Sequence, residues 1–438
     1  MAAFSVLIIS LITSGHPWVL SFQAPEDLLE AKGVRLGPEL PTETVVLVSA
    51  DPDRPSLWYA PCQTFRAPDG VRIWYERVDK AEAQYTDQRT LCLGLWRDSQ
   101  WHTPDSGGAT AWGGPNNVVM RRSPRPASWG GFNVFQILQR GDQFEMLYWD
   151  QPEEGEAGAI RASSPDGINW QARTDKAVFT EHNDAFTLLA LGKEFYLYQT
   201  ALEDWPEKPF QDNLPGKRRV IALRTSTDLD QWSPQQIILR PDSADQATTE
   251  FYLFKAFPYR GAYIGLLMKY FADPTSPGKH SALTTVELLV SNDARIWRRP
   301  FRDIDLGFWT YADPFADGED LCFVAWKERA MVLHKYRLGR LLAVTATEDT
   351  GEFMTPTFPF PKEQLALDVD ARHGSVEVLL LDTATIPHRR VGICSLENVE
   401  GSAVPLWQGL DSSAFPLTEA RLGFRLHNAK VYAVTIIR

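Results

Sequence analysis

The chain has 438 residues, too many for one compact core and too few for more than about three domains. Its 44% hydrophobic and 23% charged residues exclude a disordered or collagen-like polymer. With 44 basic against 56 acidic side chains and a net charge of −12, no groove that tracks phosphates is expected, and so no nucleic-acid partner. The 15 Trp, 13 Tyr and 23 Phe, together with 29 Gly and 30 Pro, point to many short strands and turns. The fold class read from this is all-β.

Taken from the N-terminus, Phe4–Thr13 is an apolar run of signal-peptide h-region length, and Val19-Leu20-Ser21 offers a small-residue cleavage site. Residues 1–21 are therefore read as a signal peptide, which would make the protein secreted or periplasmic; without that role it would be cytoplasmic. No other segment approaches the ~20 apolar residues of a membrane span. Residues 22–56 follow as a lead-in. Cys62, Cys92, Cys322 and Cys394 form no zinc or thioredoxin spacing. They read as four buried thiols or, in an exported chain, as a Cys62–Cys92 bridge with two thiols left over.

From Leu57 a repeat emerges. An alternating strand, a short polar turn and a Trp recur at Leu91–Trp101, Ala159–Trp170, Ile221–Trp232 and Glu287–Trp297, and the closing tryptophans stand 69, 62 and 65 residues apart. An Asp precedes each Trp by three or four residues: Asp98, Asp166, Asp228 and Asp293. Asp accepts hydrogen bonds from turn amides, and Trp packs back between sheets. Ahead of each phrase lies a turn-marked hairpin with an aromatic strand, at Phe65–Val78, Ile137–Asp150, Leu188–Ala201 and Phe254–Tyr270, with a fifth at Phe315–Glu328. Five units thus fit between residues 57 and 345, each long enough for a four-stranded blade, and predict a five-bladed β-propeller. Leu202–Lys217 reads as a loop inserted on one face. After Val344 the phrase stops and period-two alternation continues to the end, so residues 346–438 are read as a β-sandwich accessory domain.

The layout and several motifs resemble the propeller proteins of glycoside hydrolase families 32 and 43. The resemblance is closest to the bacterial group of family 32 N-terminal-domain-like proteins, frequent in planctomycetes. It is carried by PNNVV (Pro115–Val119), ASSPDGINW (Ala162–Trp170), HNDAF (His182–Phe186), Thr249–Leu267, YRLGRLLAV (Tyr336–Val344) and GSVEVLLLD (Gly374–Asp382). It implies a glycosidase acting on an oligo- or polysaccharide, with no cofactor. The chain departs from the pattern at APCQTF, where the first blade lacks the carboxylate of the best-known propeller glycosidases, and at Leu338-Gly339-Arg340.

In a propeller the inner strands converge on one axis, so their first residues line a funnel. Those positions read Tyr59, Asn133, Asp184, Glu250 and Asp313. Glycosidic cleavage needs two carboxyls, one protonated. Asp184 is assigned as nucleophile or base and Glu250 as general acid. Asp313 is the charge neighbour that raises the acid's pKa. Asn133, His182, Tyr252, Lys255, Trp309 and Trp129 are the sugar-contacting candidates, whereas Trp101, Trp170, Trp232 and Trp297 belong to blade packing. The histidines form no metal-binding pair, and a structural calcium has no signature. Two alternatives accompany the glycosidase. A sialidase would need an arginine triad that the strand starts do not supply. A non-catalytic sugar- or partner-binding propeller would keep its aromatic residues while its carboxylates lay apart or were paired with Arg.

Overall fold

The computed structural model describes residues 18–79, 88–106, 116–121, 132–181, 183–208, 214–272, 283–361, 364–384, 386–410 and 416–437. Among these the regular structure is almost entirely strand, the exception being one short turn of 3-10 helix at Pro25–Asp27. The chain forms two compact units. The first comprises Thr42–Pro258 and Ala262–Lys335; the second holds the described residues up to Pro41, Tyr259–Gly261 and those from Tyr336 onward.

The first unit is a five-bladed propeller. Blade one contains Leu57–Ala67, Gly70–Asp79, Gln88–Arg97 and Gln100–His102, with Val118–Arg121 also on its third strand. Blade two runs Asn133–Arg140, Gln143–Asp150, Gly158–Ser164 and Gln171–Ala172, and blade three Phe186–Leu191, Glu194–Asp204, Lys217–Ser226 and Gln236–Leu239. Blade four has Thr249–Tyr259, Ala262–Phe271 and Leu283–Ser291, its outer strand reduced to a bridge between Val290 and Arg298. Blade five consists of Phe315–Asp317, Asp320–Lys327 and Ala330–Arg337 and takes its outermost strand, Glu43–Val48, from the lead-in. Ring closure therefore joins two distant parts of the chain, with His334 paired to Thr44 and Lys335 to Glu43.

The propeller's apolar cores lie between blades. Trp74 and Leu93 of blade one meet Phe135, Met146 and Tyr148 of blade two, and Tyr198 and Leu223 of blade three meet Phe254, Leu267 and Trp297 of blade four. The recurring tryptophans pack into these cores. Two of them explain a glycine: a Cβ on Gly94 would fall 1.8 Å from the Trp101 ring, and one on Gly265 2.9 Å from Trp297.

Three of the four Trp turns share one hydrogen-bond pattern. The Oγ of Ser164, Ser226 or Ser291 donates to the Asp two residues on, at 3.0 to 3.1 Å. Oδ1 of Asp166, Asp228 or Asp293 accepts two following amides, all at 2.8 Å. The intervening residue, Gly167, Leu229 or Ala294, has positive φ. The first copy differs: Asp98 and Ser99 both have positive φ in a two-residue hairpin, so the Asp there makes a different kind of turn.

The second unit is a sandwich of two six-stranded sheets. One is ordered Val34–Pro38, Leu342–Ala346, Lys430–Ile437, Gln364–Asp370 and Glu400–Ala403, with Trp18–Ser21 also on Lys430–Ile437. The other is ordered Leu29–Lys32, Thr350–Met354, Glu419–His427, Ser375–Asp382 and Arg389–Glu397, with Phe358–Pro359 also on Glu419–His427. Ser375–Asp382 shows the alternation that builds it: Val376, Val378 and Leu380 are buried and their neighbours are not. The strand Leu342–Ala346, read from sequence as the tail of blade five, belongs to this sandwich. All four cysteines are buried and free. Burial pushes the Cys92 thiol up to about 11 and that of Cys322 to about 12. No described helix is long and apolar enough to cross a membrane.

Candidate functional site

The middle of the inner strands is occupied by a polar ring that passes through all five blades. Gln63 Nε2 of blade one donates to the Ile137 carbonyl of blade two at 3.0 Å, and Gln136 Oε1 accepts from the Leu188 amide of blade three at 3.1 Å. Thr187 Oγ1 donates to the Phe254 carbonyl of blade four at 2.6 Å, while Lys255 Nζ reaches back to the Leu188 carbonyl at 3.3 Å. Lys255 also pairs with Asp313 Oδ1 at 2.7 Å. Asp313 completes the circuit by accepting from Gln63 Nε2 at 2.9 Å, and its amide donates to Gln63 Oε1. Each link crosses from one blade to the next, where inner strands share no ladder, so side chains do the joining.

This ring corrects two expectations. Asp313 is tied to Lys255 and Gln63 and so acts in blade closure. Lys255 is wholly buried and cannot reach a sugar. Nothing about Gln63 or Gln136 had marked them from their types alone, although both interrupt apolar strands (PCQTF and VFQIL).

Glu250 is also corrected. Its side chain is 0% exposed, with Lys208 Nζ at 2.6 Å from Oε1 and Arg219 Nη1 at 2.5 Å from Oε2. The Arg219 amide donates to the same Oε2 at 3.2 Å. A general acid must bring a proton to the leaving oxygen, and this carboxylate has both oxygens engaged with cations and no exposed surface. What it does is local: Lys208, in the loop of blade three, also donates to the Lys217 carbonyl at 2.8 Å, so Glu250 fastens that loop to blade four.

Asp184 behaves differently. Asn183 Oδ1 accepts the Ala185 amide at 3.1 Å and the Asn183 carbonyl accepts from Gln199 Nε2 at 2.8 Å, which fixes the turn before the strand Phe186–Leu191. Asp184 is left half-buried, accepting at Oδ2 from Asn133 Nδ2 at 2.8 Å. Asn133 is buried and its Oδ1 meets no hydrogen-bond partner among the described residues.

Close to Asp184 stands Tyr311, which the sequence reading passed over. Burial pushes its phenol well above the usual range, and Tyr252, Glu76, Asp184 and Cys62 push in the same direction. Its hydroxyl therefore keeps its proton, which leaves it able to donate a hydrogen bond. Glu76, on the second strand of blade one, is buried and receives Arg89 Nη1 at 3.0 Å. Tyr252 is half-buried. Trp309 is only 3% exposed, bridged to Trp326 and edge-on to Tyr311 at 5.6 Å, so it supports the wall from behind. His182 and Trp129 lie outside the described residues. Asn133, Asp184, Tyr252 and Tyr311, from blades two, three and four and the segment entering blade five, are the groups brought to the start of the inner strands.

A cleft of about 420 Å3 lies in the sandwich, lined by Asp370, His373, His427 and Lys430 among others. No Trp, Tyr or Phe lines it. Among the described residues no group of three His, Cys, Asp or Glu side chains could hold a metal ion.

No family model matches the chain and no curated protein matches it in sequence. Solved glycoside hydrolases and a glycoside phosphorylase are similar in fold. A family 32 β-fructofuranosidase from Bombyx mori is 11% identical, with 90% of this chain and 94% of that one covered and a TM-score of 0.46. A glycosyl hydrolase from Bacteroides ovatus is 12% identical over 69% of this chain and 94% of that one, at 0.43. A β-1,2-mannobiose phosphorylase from Listeria innocua is 9% identical over 68% and 98%, at 0.41. What the funnel can do is decided by this chain's own side chains.

Proposed function

We propose that the funnel mouth binds a carbohydrate and recognises it without cleaving it. The observation that carries this is Glu250: the carboxylate at the acid's position is buried between Lys208 and Arg219. Asp313 is likewise engaged, with Lys255. The groups left at the mouth suit a sugar. The Asp184 carboxylate accepts hydroxyl hydrogens, Tyr311 donates one, and Tyr252 offers a ring to the C–H face.

Cleavage of a glycosidic bond is the second reading, favoured by one observation. Asp184 keeps a half-buried carboxylate that meets the Asn133 amide at 2.8 Å, and the buried Glu76 carboxylate, though paired with Arg89, pushes the same Tyr311 phenol upward as Asp184 does. In that case Asp184 and Glu76, in place of Glu250, would form the working pair.

The test uses aryl glycosides, plant and algal polysaccharides, sucrose and β-1,2-mannobiose, each assayed for calorimetric binding and for sugar release. Binding without release, abolished in Asp184→Asn, is the expected result. Release that disappears in both Asp184→Asn and Glu76→Gln, with melting unchanged, would establish the glycosidase. If nothing on the panel binds, the carbohydrate reading fails.

A further inference from the structure

Tyr252 is backed by an assembly that ordinary packing does not require. The Arg219 guanidinium carbon lies 5.4 Å from the Tyr252 ring centroid and 4.7 Å from that of Tyr270, and the two rings are 6.0 Å apart at 41°. Arg219 is thus wedged against both rings while Nη1 and the backbone amide hold Glu250. Its side chain is 2% exposed and Tyr270 is also buried. The Tyr252 carbonyl accepts from Thr200 Oγ1. Of the rings and charges in this assembly, only Tyr252 is more than marginally open to solvent.

Resting on the carbohydrate reading, we infer that Arg219 is a positioning residue that sets Tyr252 as a fixed platform for an uncharged sugar ring and against a cationic one. The guanidinium does two things at once. Its planar face restrains the ring, so less freedom is lost when a sugar lands on it. Its charge, held against the ring from within, draws on the same π density that a second cation would need, so the outer side is a poor seat for an ammonium. Glu250 is what makes a buried guanidinium tolerable there, because an unpaired charge at that depth would be strongly disfavoured. The residue first read as a proton donor becomes the anchor of a recognition surface.

The test compares chitin hexamer with chitosan hexamer, which share a backbone and differ in carrying N-acetyl groups or ammoniums, alongside xylohexaose and mannohexaose. Binding is measured by calorimetry for the wild type, Tyr252→Ala, Arg219→Lys and Arg219→Met, each with its melting temperature. Arg219→Lys keeps a charge for Glu250 and so remains folded if Arg219→Met does not. We expect the wild type to bind a neutral hexamer and to discriminate against chitosan. Arg219→Lys, whose ammonium lacks the planar face, should lose about fivefold in affinity for the neutral hexamer, the scale of immobilising one loosened side chain on binding, with melting little changed. In Arg219→Met the ratio of neutral to cationic binding should fall, a change that mere loosening of the fold would not produce. Neutral binding that needs Tyr252 but is indifferent to both Arg219 variants, with discrimination intact, overturns the inference and leaves the carbohydrate reading standing. Equal or tighter binding of chitosan by the wild type overturns it too. Binding unaffected by Tyr252→Ala, or no binding of any hexamer, overturns the platform together with the reading it rests on.

Discussion

The inner strands of blades three and four begin with carboxylates at matching positions, Asp184 and Glu250, and the two have opposite surroundings. Asp184 is half-buried with one amide donor from Asn133. Glu250 has no exposure and two cations. Matching places in a repeat therefore do not confer matching roles; the third strand of the neighbouring blade decides, because it is from there that Arg219 reaches Glu250. The same contrast separates the mouth from the axial ring, where Lys255, Gln63 and Asp313 spend their polarity on one another.

The largest effect should come from breaking the buried assembly. Glu250→Ala takes the shared carboxylate away from two buried cations and should cost about 3–5 kcal/mol, read from urea unfolding; a surface-like change of well under that would mean Glu250 is not an anchor. On the axis, Lys255→Met should cost on the order of 3 kcal/mol, moderated because Asp313 is 30% exposed. The double variant with Asp313→Asn should recover part of that loss, and strict additivity in the cycle would show the pair to be uncoupled.

Acid should act next, at the ring closure. His334 is buried, its Nδ1 2.8 Å from Thr44 Oγ1 on the closing strand, its Nε2 without a partner among the described residues, and Phe308 4.8 Å away. Burial, helped by Lys327, holds it down to about 4 from 6.5. Because the unfolded chain takes the proton first, the contribution is complete above pH 6.5 and is lost as pH falls toward 4. His334→Gln should flatten the melting-temperature curve across that window; an unchanged slope would remove His334 from the account. The smallest effect belongs to the turns. Against the upward push of burial, the amides of Asn169 and Ile168 hold the Asp166 carboxyl at about 2. Its contribution is present above pH 3.8 and fades as pH falls toward 2, so Asp166→Asn should matter little below that window and most near neutrality.

Much of the fold could be read from spacing. Trp170, Trp232 and Trp297 close the same serine–aspartate turn, and a turn is a local event, so a linear pattern records it. Ring closure could not be read that way. Glu43–Val48 alternates like any edge strand, and its partner Ala330–Arg337 is almost three hundred residues on. The site was legible in part for the same reason. Asp184 and Asn133 stand at strand starts and were found there, whereas Lys208 and Arg219 come from another blade's loop and third strand. Tyr311 lies two residues before Asp313, and a phenol in TYADPF carries no spacing or charge signal that separates a lining residue from a packing one.

The most direct measurement is Asp184→Asn beside Glu250→Gln, each examined for melting temperature and for calorimetric binding of the neutral hexamer the wild type prefers. The account predicts that Asp184→Asn melts with the wild type and loses binding, while Glu250→Gln melts well below it. A Glu250→Gln variant as stable as the wild type, paired with an Asp184→Asn variant that binds normally, would contradict it.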